Sequence, residues 1–172
     1  MLRWLWLSLL VLILDQATKQ WAEAALVLYQ PLELLPYFDL TLMYNRGAAF
    51  SFLSSQGGWQ RWFFIVLAVG VTLVLVTWLK RLKPGEGALA AALSLVIGGA
   101  VGNVIDRVLF GHVIDFIDLY YGAESCLPFF GTLITNAGVT CHWPAFNIAD
   151  SAITLGVIIL LLDAFLAKRE AP

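Results

Sequence analysis

Hydrophobic and polar positions divide the chain into four long apolar segments and one stretch with a different rhythm. The first segment runs from Leu2 to about Leu26, with Asp15, Gln16, Thr18 and Lys19 in its second half; the others run from Trp59 to Leu79, Ala88 to Phe110 and Ala149 to Ala167. Roughly 20 residues rising 1.5 Å each cross the ~30 Å hydrocarbon layer of a bilayer. The pattern therefore predicts a single integral membrane domain over residues 1–172, with helices at about 2–26, 59–79, 88–110 and 149–167. For the first segment the alternative is a cleaved signal peptide, with Arg3 as its charged start and Ala22-Glu23-Ala24 as a small-x-small site. Asp15 and Lys19, which lie between the apolar run and that site, argue for a retained helix. From about 30 to 52 the period falls to two: Leu40, Leu42 and Tyr44 alternate with Asp39, Thr41 and Asn45, bounded by Pro31, Pro36 and Gly47. An open sheet edge cannot face lipid, so short strands outside the hydrocarbon are predicted there.

Composition agrees with the pattern. Of 172 residues 60% are hydrophobic and only 13% charged, with a mean hydropathy of +0.84, well beyond an ordinary globular domain. A net charge of −2 without any basic block gives no support to nucleic-acid binding. The bases also orient the chain. Arg3, Lys80, Arg81, Lys83, Lys168 and Arg169 fall on one side of a four-helix topology and Lys19, Arg46, Arg61 and Arg107 on the other, which predicts cytoplasmic termini. On that topology Asp15, Asp106, Asp115, Asp118 and Asp150 all lie at or near the outer face.

Charge at the end of an apolar helix is costly unless it meets water, a partner or its own proton. The stretch Gly98 to Asp118 carries Asn103, Asp106, Arg107, His112, Asp115 and Asp118, and is a candidate site on that ground. Helical spacing explains how the polar groups converge: Asp15, Thr18 and Lys19 form one stripe, Asn103, Asp106 and Arg107 a second, Asn147, Asp150 and Thr154 a third. One stripe alone is usually an interfacial patch; three at one depth point to a wet cavity inside a bundle. Asp115 and Asp150 sit in apolar frames with no Lys or Arg within four positions, so desolvation and mutual repulsion would hold one proton between them. Such a pair can activate a water and protonate a leaving amine. Asp106 beside Arg107, and Asp15 one turn from Lys19, read as ion-paired scaffold. Asn45, Asn103 and Asn147 are neutral donors suited to orienting a carboxylate or a substrate carbonyl. His112 and His142 lack metal-ligand spacing, no GxSxG occurs, and neither a metal nor a cofactor is expected. A proton-coupled transporter is the rival from another class, though no polar chain crosses the Gly- and Ala-rich third helix toward the cytoplasm.

Five blocks, in order, resemble those of the lipoprotein signal peptidase family, the bacterial (prolipoprotein) signal peptidases II: Asp15-Gln16-Ala17-Thr18-Lys19, Asn45-Arg46-Gly47-Ala48-Ala49-Phe50, Gly98 to Arg107, Val113-Ile114-Asp115-Phe116 and Phe146-Asn147-Ile148-Ala149-Asp150. The resemblance covers nearly the whole chain. It implies a mainly α membrane protein with four transmembrane helices, a small extracytoplasmic β-cradle and cytoplasmic termini, in the bacterial inner membrane with its active site near the periplasmic face. The implied activity is an aspartic endopeptidase that removes signal peptides from prolipoproteins, cutting before a diacylglyceryl-modified Cys. Its implied partners are that lipid-modified substrate and membrane lipid, and a monomer is expected. The resemblance assigns Asp115 and Asp150 as the catalytic pair and gives Asp15, Asn45, Gly47, Asn103, Arg107 and Asn147 supporting or binding roles, with Asp106 and Lys19 structural. One stretch departs from it: residues 116–144 look longer than the family's usual connection and read as an outer insertion loop. Both cysteines, Cys126 and Cys141, fall in it, and an oxidising outer compartment would allow a disulfide.

Overall fold

The computed structural model describes residues 1–47, 58–122, 125–128, 130–135 and 138–170. A single 3₁₀ turn, Leu2–Trp4, leads into α1 (Leu5–Ala25). Then come β1 (Pro31–Leu35), β2 (Phe38–Asn45), α2 (Trp59–Arg81), α3 (Gly87–Leu109), β3 (Val113–Gly122), β4 (Gly131–Thr135), β5 (Gly138–His142) and α4 (Ile148–Glu170). The predicted helices are all present, within a few residues at each end. Residues 48–52 of the predicted strand region, including Ala48, Ala49 and Phe50, lie outside the described residues.

Among the described residues three helices are long and apolar enough to cross a membrane: α2, α3 and Ile148–Leu166 of α4. α1 carries Asp15, Lys19 and Glu23 and falls short of that apolarity. α3 is the hub, touching α1, α2 and α4. Its small residues let backbones approach closely. A Cβ on Gly98 would lie 2.7 Å from the Ser8 carbonyl oxygen of α1, and one on Gly102 would reach Asp15 Oδ2 at 2.5 Å. Ser8 donates to the Ser94 carbonyl at 2.7 Å across the same contact. α2 is apolar all round and buries only Gln60, Ile65, Leu75 and Leu79, as expected of a helix with lipid on most sides.

The strands form one five-stranded sheet in the order β1-β2-β3-β5-β4, antiparallel throughout. Residues 116–144, expected as a loop, are mostly strand: β3 runs on to Gly122, and the β4–β5 hairpin extends the sheet, with Cys126 bonded to Cys141 across its base. The physical reason is that β3 buries its first half and leaves Leu119–Gly122 partly or fully exposed, so no core-facing pattern marks the outer half as strand.

Two irregularities position the chemistry. Between Leu40 and Met43, β2 advances three residues while β3 advances two, from Ile117 to Asp115, so β2 carries a bulge. A one-residue slip exchanges the faces of every later side chain. Asp39 and Asn45, on one face by simple alternation, therefore diverge: Asp39 stands opposite Asp118, and Asn45 turns to the face of Asp115. The second is an isolated bridge between Ile117 and Phe146. Phe146 accepts from Phe116 N–H at 3.1 Å and Ile117 N–H at 2.9 Å and donates to the Ile117 carbonyl, which pins the start of α4 against β3.

Candidate active site

Asn147 is the last residue before α4, and its side chain caps that helix. Its Oδ1 accepts from Asp150 N–H at 2.9 Å, while its own N–H approaches Asp150 Oδ2 at 3.4 Å. This reciprocal pairing is a capping box, with aspartate at its third helical position. A further orphan amide of the first turn, Ala149 N–H, donates to Asp15 Oδ1 of α1 at 2.9 Å. The start of α4 is thus fixed by groups from two helices, and two carboxylates stand at the positive end of its dipole.

From that cap the network reaches the sheet. Asn147 Nδ2 donates to Asp115 Oδ1 at 2.7 Å and also lies 3.2 Å from the Ile114 carbonyl. Asn45, delivered by the β2 bulge to the same face of the sheet, lies near enough to Asp115 to favour its charged form. Asn103 of α3 donates through Nδ2 to Asp150 Oδ1 at 2.7 Å. Its orientation is dictated by Lys19: an ammonium can only donate, so Asn103 must turn its oxygen to Lys19 Nζ (2.9 Å) and its amino group to Asp150.

Lys19 is fully buried, and closes on Asp15 Oδ2 and Asp106 Oδ2, both at 2.8 Å. Here the sequence reading needs correction. Asp106 pairs with Lys19 from another helix and not with Arg107, because adjacent helical residues point about 100° apart and do not face each other. Arg107 instead donates from Nη2 to the Gly47 carbonyl at 3.1 Å, and its guanidinium lies over the Phe64 ring at 5.2 Å. Through Gly47, whose N–H donates to Asn45 Oδ1 at 3.0 Å, Arg107 steadies the asparagine on the Asp115 face of the sheet.

Asp115 is 2% exposed, and burial, followed by the charge of Asp150, pushes its carboxyl up from 3.8 to about 8. The amides of Asn45 and Asn147 and the charge of Lys19 only partly oppose that rise. Asp150 is less enclosed and faces a cavity of about 650 Å³ that it shares with Asn45, Asn103 and Arg107. Among the described residues neither Asp115 nor Asp150 forms an ion pair. Two acids joined through one asparagine, one of them facing a cavity, form a chain along which a proton can pass to and from a water or peptide bound at Asp150.

Several residues of the sequence-derived stretch are not brought to this centre. Asp118 points to the other face of the sheet, where it accepts from Thr41 Oγ1 at 2.8 Å and pairs with His142 Nδ1 at 2.9 Å. His112 stacks on Tyr44 with ring centroids 4.1 Å apart. Thr18 bonds back to the Leu14 carbonyl of its own helix. Thr154 lines the cavity. Gln16 was missed: its Nε2 donates to Asp106 Oδ1 at 2.9 Å and to Asp15 Oδ2 at 3.2 Å. No spacing rule marks it, since its partner stands on α3. The Asn147 cap was also missed, though the Asn-x-x-Asp pattern ahead of an apolar run was a signal for it.

Comparison with known proteins bears on this arrangement. Residues 7–166 match the model of the family described as Signal peptidase (SPase) II. The chain is 51% identical to a lipoprotein signal peptidase of Pseudomonas putida over 98% of its own length and 90% of that protein's. It is 50% identical to a lipoprotein signal peptidase of Ectopseudomonas mendocina, covering 99% of this chain and 92% of that one. Among solved structures it is similar to a bacterial membrane enzyme determined by the in meso method, with a TM-score of 0.77 at 30% identity over 98% of this chain and 90% of the other. A capped helix, a buried lysine hub and two aspartates without a cationic partner, one of them facing a cavity, accompany a match over almost the entire chain: it belongs to the signal peptidase II family.

Proposed function

We propose that this chain is an aspartic endopeptidase of the bacterial inner membrane that cleaves the signal peptide from diacylglyceryl-modified prolipoproteins, N-terminal to the lipidated Cys. The supporting observation is the Asn147 bridge: one side chain hydrogen-bonds Asp115 through Nδ2 and Asp150 N–H through Oδ1. In this reading the pair holds a single proton around a bound water. One carboxylate takes a proton from the water as its oxygen attacks the scissile carbonyl; the other gives a proton to the carbonyl oxygen. Collapse of the tetrahedral species then expels the amine, which leaves with a proton from the pair. Products are a signal peptide with a free carboxylate and a lipoprotein whose first residue is the modified Cys.

Asn103, Asn147 and Asn45 orient the acids, Asp15 caps α4, Arg107 and Gly47 hold Asn45, and Asp106 and Lys19 are structural. The reading includes α1 as a fourth span, with both termini cytoplasmic, the site near the periplasmic face, the whole chain as one membrane domain, and action as a monomer. What supports that orientation is the clustering of Lys80, Arg81 and Lys83 after α2, with Arg3, Lys168 and Arg169 at the matching ends of α1 and α4. No metal or cofactor has a part in it.

The test is cleavage of a diacylglyceryl-modified prolipoprotein by the purified protein in lipid. Wild type should cut before the modified Cys. Asp115→Asn and Asp150→Asn should each lose about 10²- to 10⁴-fold in rate or more while keeping a cooperative thermal transition. Folded variants with near wild-type turnover would remove the two-aspartate mechanism.

A further inference from the structure

The lining of the cavity that holds Asp150 divides by element into two arms. One follows α4 inward past Thr154 and Leu155 to Ile158, eight residues beyond Asp150 or about 12 Å of helix. The other, on the sheet side and outward in the orientation proposed above, comprises Leu119 of β3 and the segment Trp143-Pro144-Ala145-Phe146. A peptide whose scissile bond lies at the aspartates must occupy both. Its membrane-embedded signal segment runs along the inward arm, beside apolar residues of α4, and the chain after the scissile bond leaves through the outward arm.

Trp143 is the largest side chain of that outward arm and is 41% exposed, so much of its surface is not used in packing the protein. It is nevertheless firmly held. Its N–H donates to the Leu119 carbonyl at 2.7 Å. The residue before it, His142, is bonded to Asp118 of β3, and Cys141 is bonded to Cys126. Its ring meets Phe130 edge to face at 5.3 Å, and Phe130 meets Tyr121 in the same way at 5.1 Å. Trp143, carried one residue beyond β5, therefore presents to the cavity an aromatic surface held by contacts on several sides. A large aromatic whose ordering is already complete before binding is the kind of residue that dominates recognition.

We infer that Trp143 is a specificity-determining residue, which reads the side chain immediately following the lipidated Cys and selects uncharged over charged residues there. The inference rests on the peptidase reading above. Its chemical basis is the outward arm itself: Leu119, Trp143, Pro144, Ala145 and Phe146 include no ionisable group, so none of them compensates a charged side chain for the water it gives up against the indole. An apolar or aromatic side chain would gain contact with the indole face. The β4–β5 hairpin and its disulfide are then positioning elements, acting through Trp143.

The test uses matched lipopeptides that differ only in the residue after the modified Cys, with Phe, Ala or Asp at that position. Wild type should cleave all three, Phe best and Asp worst. Trp143→Ala should lower kcat/KM for the Phe peptide by about tenfold through KM with kcat kept, change the Asp peptide little, and so flatten the ranking. Trp143→Leu keeps apolar volume and serves if the alanine variant loses its thermal transition; it should flatten the ranking to a smaller extent. Cys126→Ser should move it in the same direction by releasing the hairpin. A uniform loss across the three peptides, or an unchanged ranking in a folded variant, would overturn the assignment. Cleavage of none of them by wild type would instead reject the peptidase reading, and this inference with it.

Discussion

Asp15 and Asp106 close on the ammonium of Lys19, whereas Asp115 and Asp150, on the other side of Asn103, are held by neutral amides and backbone N–H groups. All four are aspartates within one polar network, yet the two arrangements do different things. A lysine cancels charge and spends the carboxylate lone pairs, leaving a group fit for scaffolding. An amide orients a carboxylate without cancelling its charge, so burial and mutual repulsion remain to raise its hold on a proton. Asn103 is the boundary between the halves: its oxygen serves the lysine and its amino group the active pair.

The comparison is broken most severely at Lys19. Lys19→Met removes the only cation bonded to two fully buried carboxylates among the described residues, and the loss of one partner of a buried pair costs about 3–5 kcal/mol. The expected result is a large fall in thermal midpoint in lipid or detergent, with activity lost because the protein is unfolded. A Lys19→Met variant with a wild-type midpoint would show that Asp15 and Asp106 do not depend on that ammonium.

The amide-held half should reveal itself through pH. The Asp115 carboxyl is pushed up to about 8, by burial first and by Asp150 second. Between about pH 4 and pH 8 the folded protein therefore holds a proton that the unfolded chain has released. Stability declines as pH rises across that window and levels off above it. Asp115→Asn removes the titrating group, so its midpoint relative to wild type should improve from about pH 5 to about pH 8 and then stay constant. Wild-type turnover should fall as pH passes about 8, when the pair loses its shared proton. A difference in midpoint that is flat with pH would mean that Asp115 carries an ordinary charged carboxylate.

What the sequence made legible follows from the range over which each feature is determined. The apolar segments, their ends and the polar stripes depend on neighbours three or four residues away, and the helices and the Asp15, Asn103, Asp106, Asn147 and Asp150 positions could be read directly. The lysine hub could not. Lys19 chooses Asp106 from a helix 87 positions on, and a sequence alone offered the adjacent Arg107 as an equally charged partner. The sheet was harder still: period two in β2 gave the strand, but the bulge that sends Asn45 to Asp115 and leaves Asp39 with Asp118 has no local marker. Residues 131–142 lack a strong alternation, and their strands exist because β3 offers an edge.

A milder comparison lies within that sheet, between Asp115 and Asp39. Both are buried carboxyls on strands, but among the described residues Asp39 Oδ1 is buried with no hydrogen-bond partner. Burial raises its proton affinity first, and Asp118, directly opposite, and Glu33 raise it further, while His142 opposes them. Like charges facing each other across strands cost about 0.2–1 kcal/mol. Asp39→Asn should therefore leave cleavage unchanged and stabilise the fold by less than about 1 kcal/mol. The gain should be smallest at acid pH, where the raised carboxyl keeps its proton, and should grow as pH rises and Asp39 ionises. Thermal midpoints at acid and neutral pH measure it. A destabilised Asn variant at neutral pH would mean that the Asp39 carboxylate is needed by His142, and that this outer cluster, like the lysine hub, is held together by charge.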